Sequence, residues 1–302
     1  MAKRTHLLGI ICALLANVIF GFSFIFSKTA LSVSHPLVIL AVRFTVAFLM
    51  LNILWALGVF KISPKAFKNP TLILMGFAQP FLYFIFELYG LSLVSSALSG
   101  VIIALVPVAV MLMSVFLLKE KPTALQWLFT AISILGVSVI SIISNDGEKT
   151  YTLGILLLIG AVICAAVFNI LSRKQSESFS PFERTYIMFL IGCIGFNLTA
   201  LISLKQNYLP LIIQSITNGK FILSIIYLAI ISSVLAFLLY NFATANITAI
   251  EASSFSNIIP VVTVLAGVLI LKEKLTVSGF ALCGLIILGV WGVNQFTKKQ
   301  KK

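Results

Sequence analysis

Charge is what this chain has least of. Asp, Glu, Lys and Arg make up only 10% of its 302 residues, against roughly a quarter in a soluble domain. The usual water-facing surface cannot be built from so few, and a mean hydropathy of +1.14 agrees. Acids are scarcest, eight in all, and histidine occurs only as His6 and His35. Those two fall near opposite membrane faces in the reading below and cannot join in one site. No phosphate-binding loop, zinc-ligand spacing or nucleophile elbow occurs. Together these gaps argue against an enzyme, a metal site or a bound cofactor. Cysteine is also sparse: Cys12, Cys164, Cys193 and Cys283 lie inside apolar stretches. They read as small packing residues, with no disulfide framework. No A-x-A cleavage pattern follows the first apolar run, which continues to about Leu31 and is expected to stay as a helix.

What the chain does have is length of apolar sequence. Hydrophobic residues are 60% of it, in continuous runs of about 20, enough for a helix to cross a bilayer with its backbone bonds met internally. A membrane barrel would need short alternating segments instead. The runs predict an all-α integral membrane protein with ten transmembrane helices near 7–31, 36–59, 71–92, 95–118, 123–144, 152–173, 182–204, 220–241, 246–270 and 276–297. The net charge of +13 does not point to nucleic acid, because the basic residues stand at helix ends and in the tail, where lipid headgroups and topology use them. With the N terminus inside, thirteen Lys and Arg fall on internal ends and five on external ones. Trp55, Trp127 and Trp291 then fall near internal helix ends, as interfacial residues do. The link from Lys205 to Lys220 contains an apolar stretch too short to span, expected at the outer interface.

A long-range repeat organises the whole. Shifted by 153 positions, Ser95–Val137 meets Thr248–Val290: Pro107 falls on Pro260, Lys119-Glu120-Lys121 on Lys272-Glu273-Lys274, and Gly136 on Gly289. Matches among Val and Leu carry little weight, but a proline and a charged triplet in fixed register carry more. The chain therefore divides into a first five-helix unit at 1–144, an external linker at 145–151 and a second unit at 152–302. Five helices per unit is an odd number, so the second unit is inverted.

With these two units and the Pro36…Arg43-Phe44 stretch, the chain resembles the EamA family of the drug/metabolite transporter superfamily over nearly its whole length. The resemblance implies ten helices in two inverted five-helix repeats and both termini in the cytoplasm. It also implies a plasma (inner) membrane permease, often an exporter of amino acids, other metabolites or toxic compounds. A central cavity lined mainly by helices 1, 3, 4, 6, 8 and 9 is implied as well. Arg184, three residues after Pro181, is an imperfect counterpart of Arg43, seven after Pro36.

Polar groups inside apolar helices are costly against lipid and mark candidate sites. Arg43 lies seven residues into helix 2, roughly 10 Å down at 1.5 Å per residue. It either pairs with an anionic group of a solute or gate, or anchors helices through backbone carbonyls. Gln79, Tyr83 and Glu87 recur every four residues on one face of helix 3, lining a wet path or making an interhelical contact. Pro80 loosens the helix beside Gln79. Glu251, on a stripe with Thr244, Thr248 and Phe255, is a proton-responsive gate or a helix cap; Asn257 lies farther in. Asn17 and Asn169 are placed to meet across the repeat interface, as ligand groups or helix links. Phe20, Phe22, Phe24, Phe168 and Tyr240 form an aromatic wall or pack the core. Lys28 is expected to reach out to water. Pro107 and Pro260 each remove a helix hydrogen bond, as hinges for alternating access or as static kinks. The expected partners are a small organic solute, membrane lipids and, as coupling ion, protons. An efflux carrier for drugs or toxic compounds and a non-transporting membrane protein stand as alternatives.

Overall fold

The computed structural model describes residues 2–117, 123–143, 149–247, 252, 255–272, 281, 284–285, 287–289 and 291–292. Every regular element among them is helical. The chain begins with α1 (Ala2–Leu31), reverses, and returns as α2 (Pro36–Ala56). His35 starts α2: its Nδ1 accepts from Leu37 N at 3.2 Å, and Pro36 takes the first helical position, where a missing N–H costs nothing. A short α3 (Pro64–Phe67) leads to a third crossing made of α4 (Pro70–Gly76), a wide π-type turn at Phe77–Leu82, and α5 (Tyr83–Leu93). Ser95 caps α6 (Ser96–Ile103), which breaks at Ala104–Leu105 before α7 (Val106–Leu117). Next come α8 (Ala124–Ile143), α9 (Lys149–Gln175) and α10 (Pro181–Leu204). A capping box between Ser180 and Glu183 starts α10. The surface helix α11 (Tyr208–Ile216) then precedes the stretch expected as the eighth crossing: α12 (Gly219–Ile226), a second wide turn at Tyr227–Leu235, and α13 (Ala236–Asn246). A 3-10 turn at Phe255–Asn257 opens α14 (Ile258–Leu269).

Among the described residues, six helical stretches are long and apolar enough to cross a membrane: Thr5–Leu31, Pro36–Ala56, Pro70–Leu93, Tyr151–Gln175, Pro181–Ile216 and Gly219–Asn246. Shorter apolar helices occupy three further expected crossings, at Leu98–Met113, Ala124–Gly136 and Ile258–Leu269. The expected tenth, 276–297, is described only in part. Both Lys-Glu-Lys triplets lie wholly or partly outside the described residues. So do Asp146 and Glu251.

The most extensive helix packings all join the first half of the chain to the second. They are α5 on α9, α1 on α13 and on α14, α2 on α10, and α6 on α14. Small residues permit the close approaches, as in membranes generally. A Cβ on Gly90 would lie 3.0 Å from the Gly154 carbonyl oxygen and 2.7 Å from the Leu158 side chain, so α5 and α9 touch nearly backbone to backbone there. Around this seam the outer surface is apolar, with Leu49, Ile163, Leu198 and Ile202 all more than half exposed. In water that would be a large exposed patch; against acyl chains it is the favourable surface. Trp55, Trp127 and Trp291 are about half exposed on it. On α11, Leu209 and Ile213 face outward while Tyr208 and Ser215 are buried, and the Ser215 hydroxyl meets that of Ser34 at 2.7 Å. The expected interfacial segment is thus a short amphipathic helix laid over the α1–α2 turn.

Lys28 departs from expectation. Its ammonium turns inward and donates to the carbonyls of Leu91 (2.9 Å) and Val94 (2.6 Å), the open C-terminal end of α5. Carbonyls at a helix end have no intrahelical partner, and a cation satisfies them well. The prolines differ as well. Pro107 and Pro260 stand in the first turns of α7 and α14, each just after a break, so neither removes a bond from the middle of a continuous helix.

Candidate functional site

A buried cavity of about 60 Å³ lies between the halves. Asn17, Phe20, Ser23 and Phe24 of α1, Arg43 of α2, and Gln79, Tyr83, Phe84 and Glu87 of the third crossing line one side. Ile103, Val106, Ala165, Phe168, Asn169, Ser232, Phe237, Tyr240, Ser256 and Ile259 complete it. The periodicity of helix 3 does what its spacing implies: Gln79, Tyr83 and Glu87 reach one hollow although a wide turn interrupts the helix at Gln79, whose backbone is extended (φ −144, ψ 118). Of the sequence candidates, Asn17, Arg43, Gln79, Tyr83, Glu87, Asn169 and Tyr240 meet here. Asn257 has only its backbone described. Phe22 is not in the wall; it is 37% exposed on the far side of α1.

Arg43 supplies the cavity's positive charge. Its Nε donates to the Ser233 hydroxyl at 2.9 Å and an Nη to that of Ser232 at 3.4 Å, both on the second wide turn. The guanidinium carbon stands 4.2 Å from the Phe84 ring centroid and 5.4 Å from that of Phe44. These are weak neutral partners, and the ring faces add cation–π attraction. Glu87 supplies the negative charge. It is only 2% exposed, and its Oε2 is buried without a hydrogen-bond partner. Gln79 Oε1 is likewise buried and unpartnered. Arg43 and Glu87 thus share one cavity, yet no Arg43–Glu87 ion pair forms among the described residues. Two unmet acceptors and a cation held by hydroxyls, all lining one hollow, have the composition of a binding site.

Two asparagines, one from each half, brace the walls. Asn17 Nδ2 donates to the Ala13 carbonyl (2.7 Å), and Asn169 Nδ2 to that of Ala165 (2.8 Å), the same bond in helices 1 and 6. Tyr240 donates to Asn169 Oδ1 at 2.6 Å. Phe20, Phe168, Phe237 and Tyr240 pack ring to ring with centroids 5.3–6.3 Å apart. Sequence reading missed Ser232, Ser233, Phe84 and Phe237. A signal for one existed: the 153-residue shift carries Gln79 onto Ser232, as it carries Glu87 onto Tyr240.

Arg184 makes a separate cluster. Fully buried, it donates through Nη1 to the Ser172 carbonyl (2.9 Å), the Ser172 hydroxyl (2.8 Å) and Thr244 Oγ1 (3.2 Å). Its Nη2 donates to the Asn241 carbonyl. Arg173 donates nearby to the Thr244 carbonyl at 2.9 Å. Both cations therefore sit on the carbonyl-rich C-terminal ends of α9 and α13, where the helix dipoles favour positive charge.

An all-helical chain with several bilayer-length apolar helices around a buried polar cavity is a multi-pass membrane protein of the transporter class. The chain belongs to the EamA-like transporter family, whose profile matches residues 7–142 and 152–295. It is a transporter and not an enzyme. It is 33% identical to the uncharacterized transporter YcxC of Bacillus subtilis, over 100% of this chain and 97% of that one. It is 26% identical, over 97% and 96% of the two chains, to a probable amino-acid metabolite efflux pump of Escherichia coli. A protein of the same description from Salmonella typhimurium is 25% identical over 94% and 93%. A solved crystal structure shares the fold over 99% of both chains, with a TM-score of 0.67 and 17% identity.

Proposed function

We propose that this transporter is a permease for small zwitterionic organic solutes, amino acids foremost, working by alternating access in ten helices arranged as two inverted five-helix halves. The observation that carries the reading is the unpaired Arg43 and Glu87 in one buried cavity. A solute carboxylate accepts from Arg43, and its ammonium donates to Glu87 and Gln79, supplying the hydrogen bonds those groups lack. Two features support the inverted halves. Exchanging the first five expected crossings with the second five turns α5 on α9 into α1 on α13, leaves α2 on α10 and α6 on α14 as they are, and turns α1 on α14 into the packing of α6 and α7 on α9. The wide turn at Phe77–Leu82, shifted by 153 positions, falls within that at Tyr227–Leu235. At about 60 Å³ the cavity has room for only a few waters, so a solute is loaded when the helices part and then sealed in. The breaks before Pro107 and Pro260 are the places for that bending.

The direction is export, in line with the description of the probable efflux pumps that the chain resembles, and the membrane is a plasma membrane with both termini in the cytoplasm. The rings of Phe20, Phe84, Phe168 and Phe237 favour one second reading, an aromatic organic cation held by Glu87. Counterflow in proteoliposomes decides between them. Labelled neutral amino acids and aromatic cations are tested in parallel, with and without a proton gradient. The proposal expects saturable amino-acid exchange that Arg43→Ala and Glu87→Gln each reduce about 100-fold. Exchange of cations alone, insensitive to Arg43→Ala, defeats the zwitterion reading.

A further inference from the structure

A second hollow, of about 890 Å³, lies at the end of the bundle where α1 begins and α13 ends. Leu8 and Cys12 of α1 form one wall with Leu238, Leu239 and Phe242 of α13; the link after α2, with Phe60, and the start of α10 form the other. It is some fifteen times the size of the central cavity, and a solute vestibule is the obvious reading. Helical register excludes that. At about 100° per residue, Leu238, Leu239 and Phe242 lie about half a turn of α13 away from Phe237 and Tyr240, which face the central cavity. Leu8 and Cys12 stand about one to four turns nearer the start of α1 than Asn17, Phe20 and Phe24. The hollow is therefore on the face of α13 turned away from the central cavity. Its approaches are Leu7, Leu8, Ile11 and Val59, each 42–57% exposed, and such a surface is stable only against acyl chains.

The rim is polar and basic. Lys61 lines the mouth, and Lys65 and Lys68 are exposed on the same link. The one rim carboxylate, Glu183, has its oxygens occupied. Oε1 accepts from Ser63 N at 2.8 Å, and Oε2 accepts from Ser180 N and Ser180 Oγ, both at 2.9 Å. Lys61 is thus the charged group at the mouth that is left to meet a ligand. A long apolar slot entered from the lipid side, with an ammonium at the membrane surface, matches one occupant in both chemistry and charge.

We propose that this groove seats one phospholipid of the leaflet it opens into, with an acyl chain along Leu238, Leu239 and Phe242, the phosphate against Lys61, and a preference for anionic headgroups. Native mass spectrometry of the detergent-solubilised full chain tests it, with phosphatidylglycerol and phosphatidylcholine of identical acyl chains. One retained phosphatidylglycerol per chain is expected, at least fivefold over phosphatidylcholine. Lys61→Ala removes the headgroup preference. Cys12→Trp and Leu239→Trp, filling the groove from different helices, each lower retention at least fivefold with an unchanged gel-filtration profile. Should those two variants not fold, the native chain still answers. Alkylation of Cys12 by a membrane-permeant maleimide, read by peptide mapping, slows severalfold in phosphatidylglycerol nanodiscs relative to lipid-free detergent. Equal retention in all variants, or unslowed alkylation of Cys12, overturns the site. A phosphatidylglycerol preference that survives Lys61→Ala overturns the headgroup assignment. Loss of amino-acid counterflow in both tryptophan variants with lipid retention intact makes the groove a solute path instead.

Discussion

Arg43 and Arg184 occupy the second helix of their respective halves, and both are almost wholly buried, yet they meet opposite environments. Arg184 sits toward the C-terminal ends of α9 and α13. Four oxygens from Ser172, Asn241 and Thr244 close around it. Arg43 lies deeper along its helix, seven residues after Pro36 against three from Pro181 to Arg184. Its partners are two serine hydroxyls and a phenyl face, and an unpaired carboxylate lines the same hollow. The lesson is that a buried charge is read from its partners: carbonyls at helix ends mean architecture, hydroxyls around a hollow mean a site.

Four experiments press on this contrast. Arg184→Ala has the largest expected effect. It removes the guanidinium's hydrogen bonds to Ser172, Asn241 and Thr244 and leaves a hollow in a dry interior, lowering stability by about 3 kcal/mol, seen as a much lower melting temperature in detergent and little folded protein in the membrane. Arg43→Ala is the mirror case. Counterflow falls about 100-fold, or ~2.7 kcal/mol in transition-state terms, while the melting temperature stays close to wild type. Equal thermal losses in the two variants would erase the distinction. The partners sharpen it further. Ser172→Ala removes a hydroxyl that accepts from Arg184 and donates to Asn241 Oδ1 at 2.9 Å, at a cost of about 1–2 kcal/mol of stability. Ser233→Ala, on the Arg43 side, should leave stability nearly unchanged and raise the half-saturating solute concentration several-fold.

The smallest effect concerns only the half with Arg43. Partial burial lowers the His35 pKa below its ordinary 6.5, and its neutral Nδ1 caps α2. The unfolded chain therefore binds the proton more readily than the folded one between the lowered value and 6.5. The cap's contribution is complete above about pH 6.5 and is lost as the pH falls through the lower, folded value. Melting curves from pH 7.5 to 5 should drop slightly in wild type and lose that part of the slope in His35→Ala, which itself costs about 0.5 kcal/mol. No such change belongs to the Arg184 side, whose helix is capped by Ser180 and Glu183.

The sequence by itself determined the class of protein, the helical content, the division into two similar parts and most of one wall of the cavity. These follow from local rules. A run of about 20 apolar residues cannot leave its backbone unpaired in lipid, and a four-residue spacing puts Gln79, Tyr83 and Glu87 on one side whatever else happens. The 153-residue repeat exposed the pairing of Pro107 with Pro260. What each polar group meets was decided only in three dimensions. Lys28 looked bound for water until α5 was found to end beside it; Phe22 was not separable from Phe20 and Phe24 until α1 acquired neighbours. Ser232 and Ser233 became partners of Arg43 because a widened turn, about 190 positions away in the chain, brings them there. Local propensity fixes which groups share a helix face, but the partner of a buried charge is chosen by packing between distant segments, and that choice separates a lock from a binding site.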